Sequence, residues 1–243
     1  MQIPNNKRII AKRSLLVMLV GLLMIFVPMN LGLDGMDGGF ALAVFGGLIA
    51  ITALITYFIY MRLAREQDNL MNGTNLLAHW KYNTEQWRAY AEIDYQEDKA
   101  AKKMLFWLVA GFALFFGIIF AVFGDDGGIY VLYVMLALIA LIAVVAKVSA
   151  QVTYKRNLSR TGEVLLSEHS ALINGQLHVW NLLNARLIDV RLVEYEQMNM
   201  LEIEYVVPQR NADAQYTARI PIPYGKEAEA EAVAQEIGKH KKN

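Results

Sequence analysis

The sequence contains no cysteine. That excludes disulfides, thiolate nucleophiles, iron–sulfur ligation and thiolate zinc sites. It has no net charge either, with 23 basic and 23 acidic residues, so no surplus of cations points to nucleic acid. Its glycine pairs lie in or beside apolar runs, so no Gly-rich loop is available to cradle phosphate. Ser159, Ser167 and Ser170 stand in no Ser–His–Asp order, and the glutamates at 227, 229, 231 and 236 fit a solvated helix face. The residues name no catalytic group, no metal and no cofactor. Lys and Arg are also missing throughout Ser14–Met61 and again throughout Met104–Ala146.

Apolar residues fill those two tracts. They make up 56% of the 243 residues, above the 45–50% of ordinary soluble domains. Four runs stand out, at 15–33, 40–61, 104–123 and 129–149. A bilayer core about 30 Å thick takes about 20 helical residues, and each run has that length. The expected fold is four transmembrane helices in two hairpins, followed by a β-rich domain. The divisions are a first hairpin at 1–62, a helical connection at 63–103, a second hairpin at 104–149 and a β-domain at 150–243.

Cationic residues flank the runs on one side only. Lys7, Arg8, Lys12 and Arg13 precede the first; Arg62, Arg65, Lys81, Arg88, Lys99, Lys102 and Lys103 lie between the second and third; Lys155, Arg156 and Arg160 follow the fourth. The positive-inside rule puts both termini and the middle segment in the cytoplasm of a plasma membrane. A cleaved signal peptide is the competing reading of the N-terminus, but the first run is long for one and lacks an A-x-A site. Lys147 sits where it can snorkel to the interface.

Asp37-Gly38-Gly39 and Asp126-Gly127-Gly128 open the second and fourth runs, a weak repeat of tight-turn chemistry. With Asp34 and Asp125, the two Asp/Gly turns hold four carboxylates that could hold a divalent cation, although no EF-hand spacing is present. No ionisable residue lies at mid-depth in any run, which argues against a coupled transporter. Pro28, before Asn30, is expected to kink or fray the first helix. Small residues at Ala43/Gly47, Gly46/Ala50 and Ala113/Gly117 fit close helix packing. They suit either one four-helix bundle, which is preferred, or a homo-oligomer.

In the middle segment, Leu63–Leu70 should prolong the second helix until Met71-Asn72-Gly73-Thr74 breaks it. Asn83, three residues before Gln86, has capping-box spacing and starts a helix from about Glu85 that runs into the third span. Trp87, Tyr90, Ala91 and Tyr95 form an aromatic stripe along it. Docking onto the chain's own domain is the preferred reading of that stripe, with a belt at the headgroup level and a partner groove as the others.

Beyond Ser149 the pattern changes to period two. Strands are expected at 163–168, 170–174, 176–180, 185–195, 200–207 and 215–221, with Asn174-Gly175 as a two-residue hairpin turn. That turn sets Ala171 opposite His178 and His169 opposite Trp180, leaving the two histidines diagonal without a third ligand. A helix at about 226–239 closes the chain, with Ala228, Ala232, Ala234 and Ile237 as its packing face.

A strand, the turn at Asn174-Gly175, Trp180 after the third strand and a helix after Ile220-Pro221-Ile222-Pro223 together resemble a pleckstrin-homology-like domain. Gly162–Lys239 is similar to the cytoplasmic C-terminal domain of bacterial multi-pass membrane proteins. The resemblance implies a non-catalytic binding or scaffolding module. It does not imply a phosphoinositide site, because Ser167-Glu168-His169-Ser170 lacks the basic residues such a site needs. The expected partners are the lipid bilayer, a membrane or cytoplasmic protein and a second copy of the chain. Trp80, Trp87, Tyr90, His178 and Trp180 are the candidate partner-contacting residues. A small channel or transporter component with a regulatory domain is the alternative function.

Overall fold

The first two apolar runs fold as helices α1 (Asn6–Asn30) and α2 (Gly39–Met71), joined as an antiparallel hairpin. This computed structural model describes residues 5–30, 32, 38–124, 127–160, 162–182, 184–209 and 212–241. Asp34, Asp37, Asp125 and Asp126, the carboxylates of the expected Asp/Gly turns, lie outside the described residues. Then come β1 (Leu76–Lys81), α3 (Thr84–Phe123) and α4 (Gly128–Leu158). The chain ends with β2 (Glu163–Ser167), β3 (Ser170–Ile173), β4 (Gln176–Val179), β5 (Arg186–Tyr195), β6 (Met198–Val207), β7 (Ala214–Pro221) and α5 (Glu227–Gly238). All four long helices are long and apolar enough to cross a membrane.

The helices outrun the apolar stretches at one end. α3 has 40 residues, about 60 Å at 1.5 Å each, roughly twice a bilayer core. Its start follows the expected cap: the Asn83 side chain accepts from the Gln86 backbone N–H at 2.7 Å. The reciprocal half of the box is not made, because the Gln86 amide donates to the Ile222 carbonyl instead. α1 continues through Pro28 for two residues before it ends.

Small residues act within each hairpin. A Cβ on Gly21 would lie 2.7 Å from the Gly46 carbonyl oxygen, and one on Gly46 would lie 2.6 Å from that of Gly21. Only glycine at both positions allows this approach. Gly117 serves α3 and α4 in the same way, against Leu132 and Met135. The expectation of one four-helix bundle is not met, because α1 packs on α2 and α3 on α4 with few contacts between the pairs. Most side chains of the apolar stretches therefore face outward.

The main departure from expectation is β1. Residues 76–81 were expected within a helical connection; they form the edge strand of a four-stranded antiparallel sheet ordered β1-β2-β3-β4. Trp80 pairs with Val164 and His79 with Leu165. Ala78 and Trp80 alternate with His79 and Lys81, but the run is only 6 residues long and Leu77 interrupts it, so the pattern does not stand out between two long helices. The α3–α4 hairpin is thus inserted between two paired strands. β5, β6 and β7 form a second antiparallel sheet.

The inner faces of both sheets, α5 and the first turns of α3 enclose one core containing Trp80, Trp87, Trp180, Leu166, Met200, Ile203 and Ile220. The first sheet is covered on its other side too, where Leu70 of α2 packs on Leu165 and Leu172. That double burial explains why β2 and β3 are nearly continuous apolar runs. Burying one indole, at 25 cal/mol per Å² over about 200 Å², contributes on the order of 5 kcal/mol. α5 packs through Ala230, Val233 and Ile237, not through the expected Ala228 and Ala232, which are exposed. Val233 and Ile237 are its largest apolar residues, and they set the rotation of the helix.

Two turns carry backbone strain of different kinds. Asn174 and Gly175 have φ of 48° and 86°, the primed turn expected for this dipeptide. Glu196 and Gln197 adopt the same positive φ, 48° and 62°, with neither a glycine nor an asparagine to ease it. Glu196→Asn/Gln197→Gly should therefore raise stability by about 1 kcal/mol, measured by chemical denaturation of the purified protein. An unchanged or lower midpoint would show that the turn is held by side-chain contacts rather than by hairpin chemistry. At the junction of α4 and β2, a Cβ on Gly162 would lie 2.2 Å from the Trp87 ring. Gly162→Ala should cost about 1–3 kcal/mol and lower the melting temperature by several degrees, whereas Trp87→Leu in the same background should recover part of the loss.

Candidate functional site: a polar cavity where the helix pair meets the sheets

The base of the α3–α4 pair and the mouth of the two sheets enclose a cavity of about 110 Å³. Trp87, Tyr90 and Asp94 come from α3, spaced so that they share one helix face. Asn157 comes from the last turn of α4, His178 from β4 and Arg219 from β7. A cavity of this volume has room for a few waters and lies well below the 300 Å³ at which small-molecule sites begin. Its lining makes it a polar seam.

Asn157 is the hub of that seam. Its carbonyl accepts from the Trp87 indole N–H at 3.0 Å and from the Asn174 amide at 3.3 Å. Its own amide donates to the Asp94 carboxylate at 3.1 Å. Arg160 donates to the Asn174 carbonyl at 2.7 Å. The start of α3, the end of α4 and the β3–β4 turn are thereby fastened at one point.

A second fastening is ionic. Arg219 bonds Glu97 of α3 at 2.6 Å and Glu202 of β6 at 2.7 Å, and its guanidinium stands 4.3 Å from the Tyr195 ring centre. Arg191 reaches Glu202 from the other side at 2.5 Å. Glu202 is only 5% exposed. Burial raises its pKa, but bonds from Arg219 and Arg191 outweigh that and hold the carboxyl below its ordinary range. Tyr90 donates its hydroxyl to the Arg219 carbonyl at 3.1 Å, and burial pushes the phenol upward.

Asp94 is displaced in the opposite direction. Partial burial, then the neighbouring Asp98 and Glu97, raise its pKa despite the bond from Asn157. Burial keeps the His178 ring below its ordinary pKa, and its Nδ1 lies 3.4 Å from the Tyr205 hydroxyl.

The five candidate partner-contacting residues are placed inside the chain. Trp80, Trp87, Tyr90 and Trp180 are buried in the core, and His178 is half-buried. Each indole N–H is satisfied internally: Trp80 by Glu229, Trp87 by Asn157, Trp180 by the Glu168 carbonyl. The cavity unites Trp87, Tyr90 and His178; Trp80 and Trp180 do not line it. Four of the five are therefore core residues, and His178 alone keeps part of its ring at the surface. Asn157, Arg219 and Glu202 carry no sequence signal, since their partners are 11 to 122 positions distant. Asp94, Glu97 and Asp98 could have been noticed as three carboxylates on one helix face.

The expected pairing of His178 with Ala171 is present, but His178 turns to Tyr205 rather than to His169. His169 lies near His240 and Glu168, all three ligand atoms within 4.8 Å. Donors around zinc at 2.0–2.1 Å stand about 3.3 Å apart. Only the 3.4 Å between Glu168 and His240 approaches that, and Glu168 to His169 is 3.9 Å. The group is wider than a closed metal site and has no fourth donor among the described residues.

Compared with protein-family models, curated proteins and solved structures, the chain matches none. Its chemistry rests on its own geometry.

A carboxyl whose folded pKa is raised favours the folded state while protonated, and that contribution is lost as pH climbs through the folded value. Asp94→Asn keeps an acceptor for Asn157 without the charge. It should melt higher than the unmodified protein at pH 8, and the gap should close as pH falls through the carboxyl range. A pH-independent difference would remove the charge explanation.

Proposed function

We propose that the protein is an integral membrane protein that holds a binding module rigidly against the cytoplasmic face of the membrane, with both termini on that side. The observation that carries this reading is the insertion of the α3–α4 pair between β1 and β2. Only residues 72–75 separate α2 from β1, 82–83 separate β1 from α3, and 159–162 separate α4 from β2. Connections this short leave no flexible tether, so the sheets take their orientation from the helices. A docking surface held that way faces its partner without the entropy cost of a free linker.

The one-sided distribution of Lys and Arg supports the orientation. The order of elements, four strands then three and a closing helix, supports kinship with pleckstrin-homology-like domains. Within such a domain, the first pair of strands would be joined by the helix pair instead of a short loop. The surface best suited to a protein partner is β5, an edge strand with Ile188 and Leu192 exposed.

The test uses the full chain in intact cells, with a photo-reactive residue at Leu192 and a reporter fused after Asn243. A discrete protein adduct at Leu192, with the reporter active in the cytoplasm, is the expected result. A reporter active only outside the cell would overturn the orientation. Solute flux from the pure protein in liposomes, together with no adduct, would overturn the binding module in favour of a channel.

A further inference from the structure

We propose that the groove between α3 and α4, at the level where their apolar stretches end, is a binding site for one anionic phospholipid. This rests on the spanning reading above and names a ligand that reading does not require. The groove has a volume of about 360 Å³, within the range of small-molecule sites. Lys99, Lys102 and Lys103 enter it from α3 and Lys147 from α4. Lys103 directly precedes the charge-free run of α3, and Lys147 closes that of α4. The four ammonium groups therefore sit at headgroup depth.

The charge is not cancelled locally. Asp98 bonds Lys102 at 2.6 Å, and Lys99 rests 5.7 Å from the Tyr95 ring. Lys103 and Lys147 are exposed, and no ion pair engages them among the described residues. Lys102 is paired with Asp98 and Lys99 acts on Glu92, so Lys103 and Lys147 supply the uncompensated positive charge at this opening. The apolar half of the site lies on the membrane side, where Phe106 of α3 stands across from Ala143 and Ala146 of α4. Alanine at these positions keeps the α4 wall low, so an acyl chain can lie along it. A phosphodiester at the lysines with its chain on the alanines matches both halves, whereas free phosphate matches only the upper one.

The other hairpin supplies an internal comparison. Between α1 and α2 lies a groove of about 480 Å³ whose one basic residue is Arg13. Both grooves offer apolar walls, but only the α3–α4 groove concentrates cations. The bilayer's ordinary attraction for scattered Lys and Arg would not separate the two.

Tryptophan fluorescence tests the site. Trp107 is 64% exposed and lies four residues beyond Lys103, on the same helix face, whereas Trp80, Trp87 and Trp180 are buried in the core of the β-domain. Lipids brominated on their acyl chains quench an indole on contact. In liposomes of phosphatidylcholine, brominated phosphatidylglycerol should quench Trp107 at a lower mole fraction than brominated phosphatidylcholine. The expected preference is on the order of fivefold for each lysine engaged. The double variant Lys103→Gln/Lys147→Gln should superimpose the two curves, and the charge-matched Lys155→Gln/Arg156→Gln should leave them apart.

Superimposed curves in the unmodified protein would overturn the lipid site and leave the spanning reading standing. Loss of preference in both double variants would also overturn it, by assigning the preference to diffuse surface charge. Abolition by millimolar inorganic phosphate would give the lysines to a soluble anion instead. No quenching by either lipid would overturn the spanning reading itself.

Discussion

The antiparallel pairing of β1 with β2 is the constraint on which the rest of the structure depends. It joins two segments separated by the whole α3–α4 pair, so the sheet closes only if those helices return the chain to its starting point. The return is secured at the base, where the Trp87 indole binds the last turn of α4 and its ring leaves room for nothing larger than glycine at 162. Loop closure over such a distance is costly in entropy for a flexible chain. A rigid helical pair meets the cost through its own packing, of which Gly117 against Met135 is one contact.

Charge and burial then divide the work between the two faces of the first sheet. On one face, Leu70 and the Glu66 carboxylate, which accepts from the Ser170 hydroxyl at 2.8 Å, bring α2 against β2 and β3. On the other, α3 is held by aromatic burial, and Arg219 of β7 ties it to the second sheet by bridging Glu97 and Glu202. Glu202 would be expensive alone in that position, and two arginines make it tolerable without making it a large net source of stability. Its main effect is geometric, because a carboxylate held from both sides fixes where β6 and β7 stand relative to α3.

How far the sequence discloses this depends on the range of each interaction. The long helices, the Asn83 cap, the Asn174-Gly175 turn and the strands from Glu163 to Pro221 follow from periods of 3.6 and 2 and from turn chemistry, all local. β1 escapes because its alternation is confined to Ala78, His79, Trp80 and Lys81, with Leu76-Leu77 breaking the period in front of them, and so short a run is lost between two long helices. The face of α5 is read in part: Ile237 and Ala234 pack as expected, while Ala228 and Ala232 are exposed, because alanines mark a helix face only weakly and Val233 with Ile237 outweigh them. The aromatic stripe at Trp87 and Tyr90 is legible as a stripe, and the preference for docking within the chain is consistent with its burial. Asn157 is illegible in principle, since an asparagine near a helix end has many ordinary uses, and only the fold brings Trp87, Asp94 and Asn174 to it.

The insertion also sets an order of events during synthesis. Trp80 leaves the ribosome long before Val164, its neighbour in the sheet, and in the meantime β1 has no strand to pair with. Its hydrogen-bonding groups and the Trp80 ring must wait until α3 and α4 have been made and aligned side by side. The β-domain thus cannot assemble ahead of the helices, and a closed sheet is a record that the second hairpin was completed. A chain stalled with α3 misplaced would carry an unmated strand and an uncovered indole, the features by which chaperones and proteases recognise unfinished proteins.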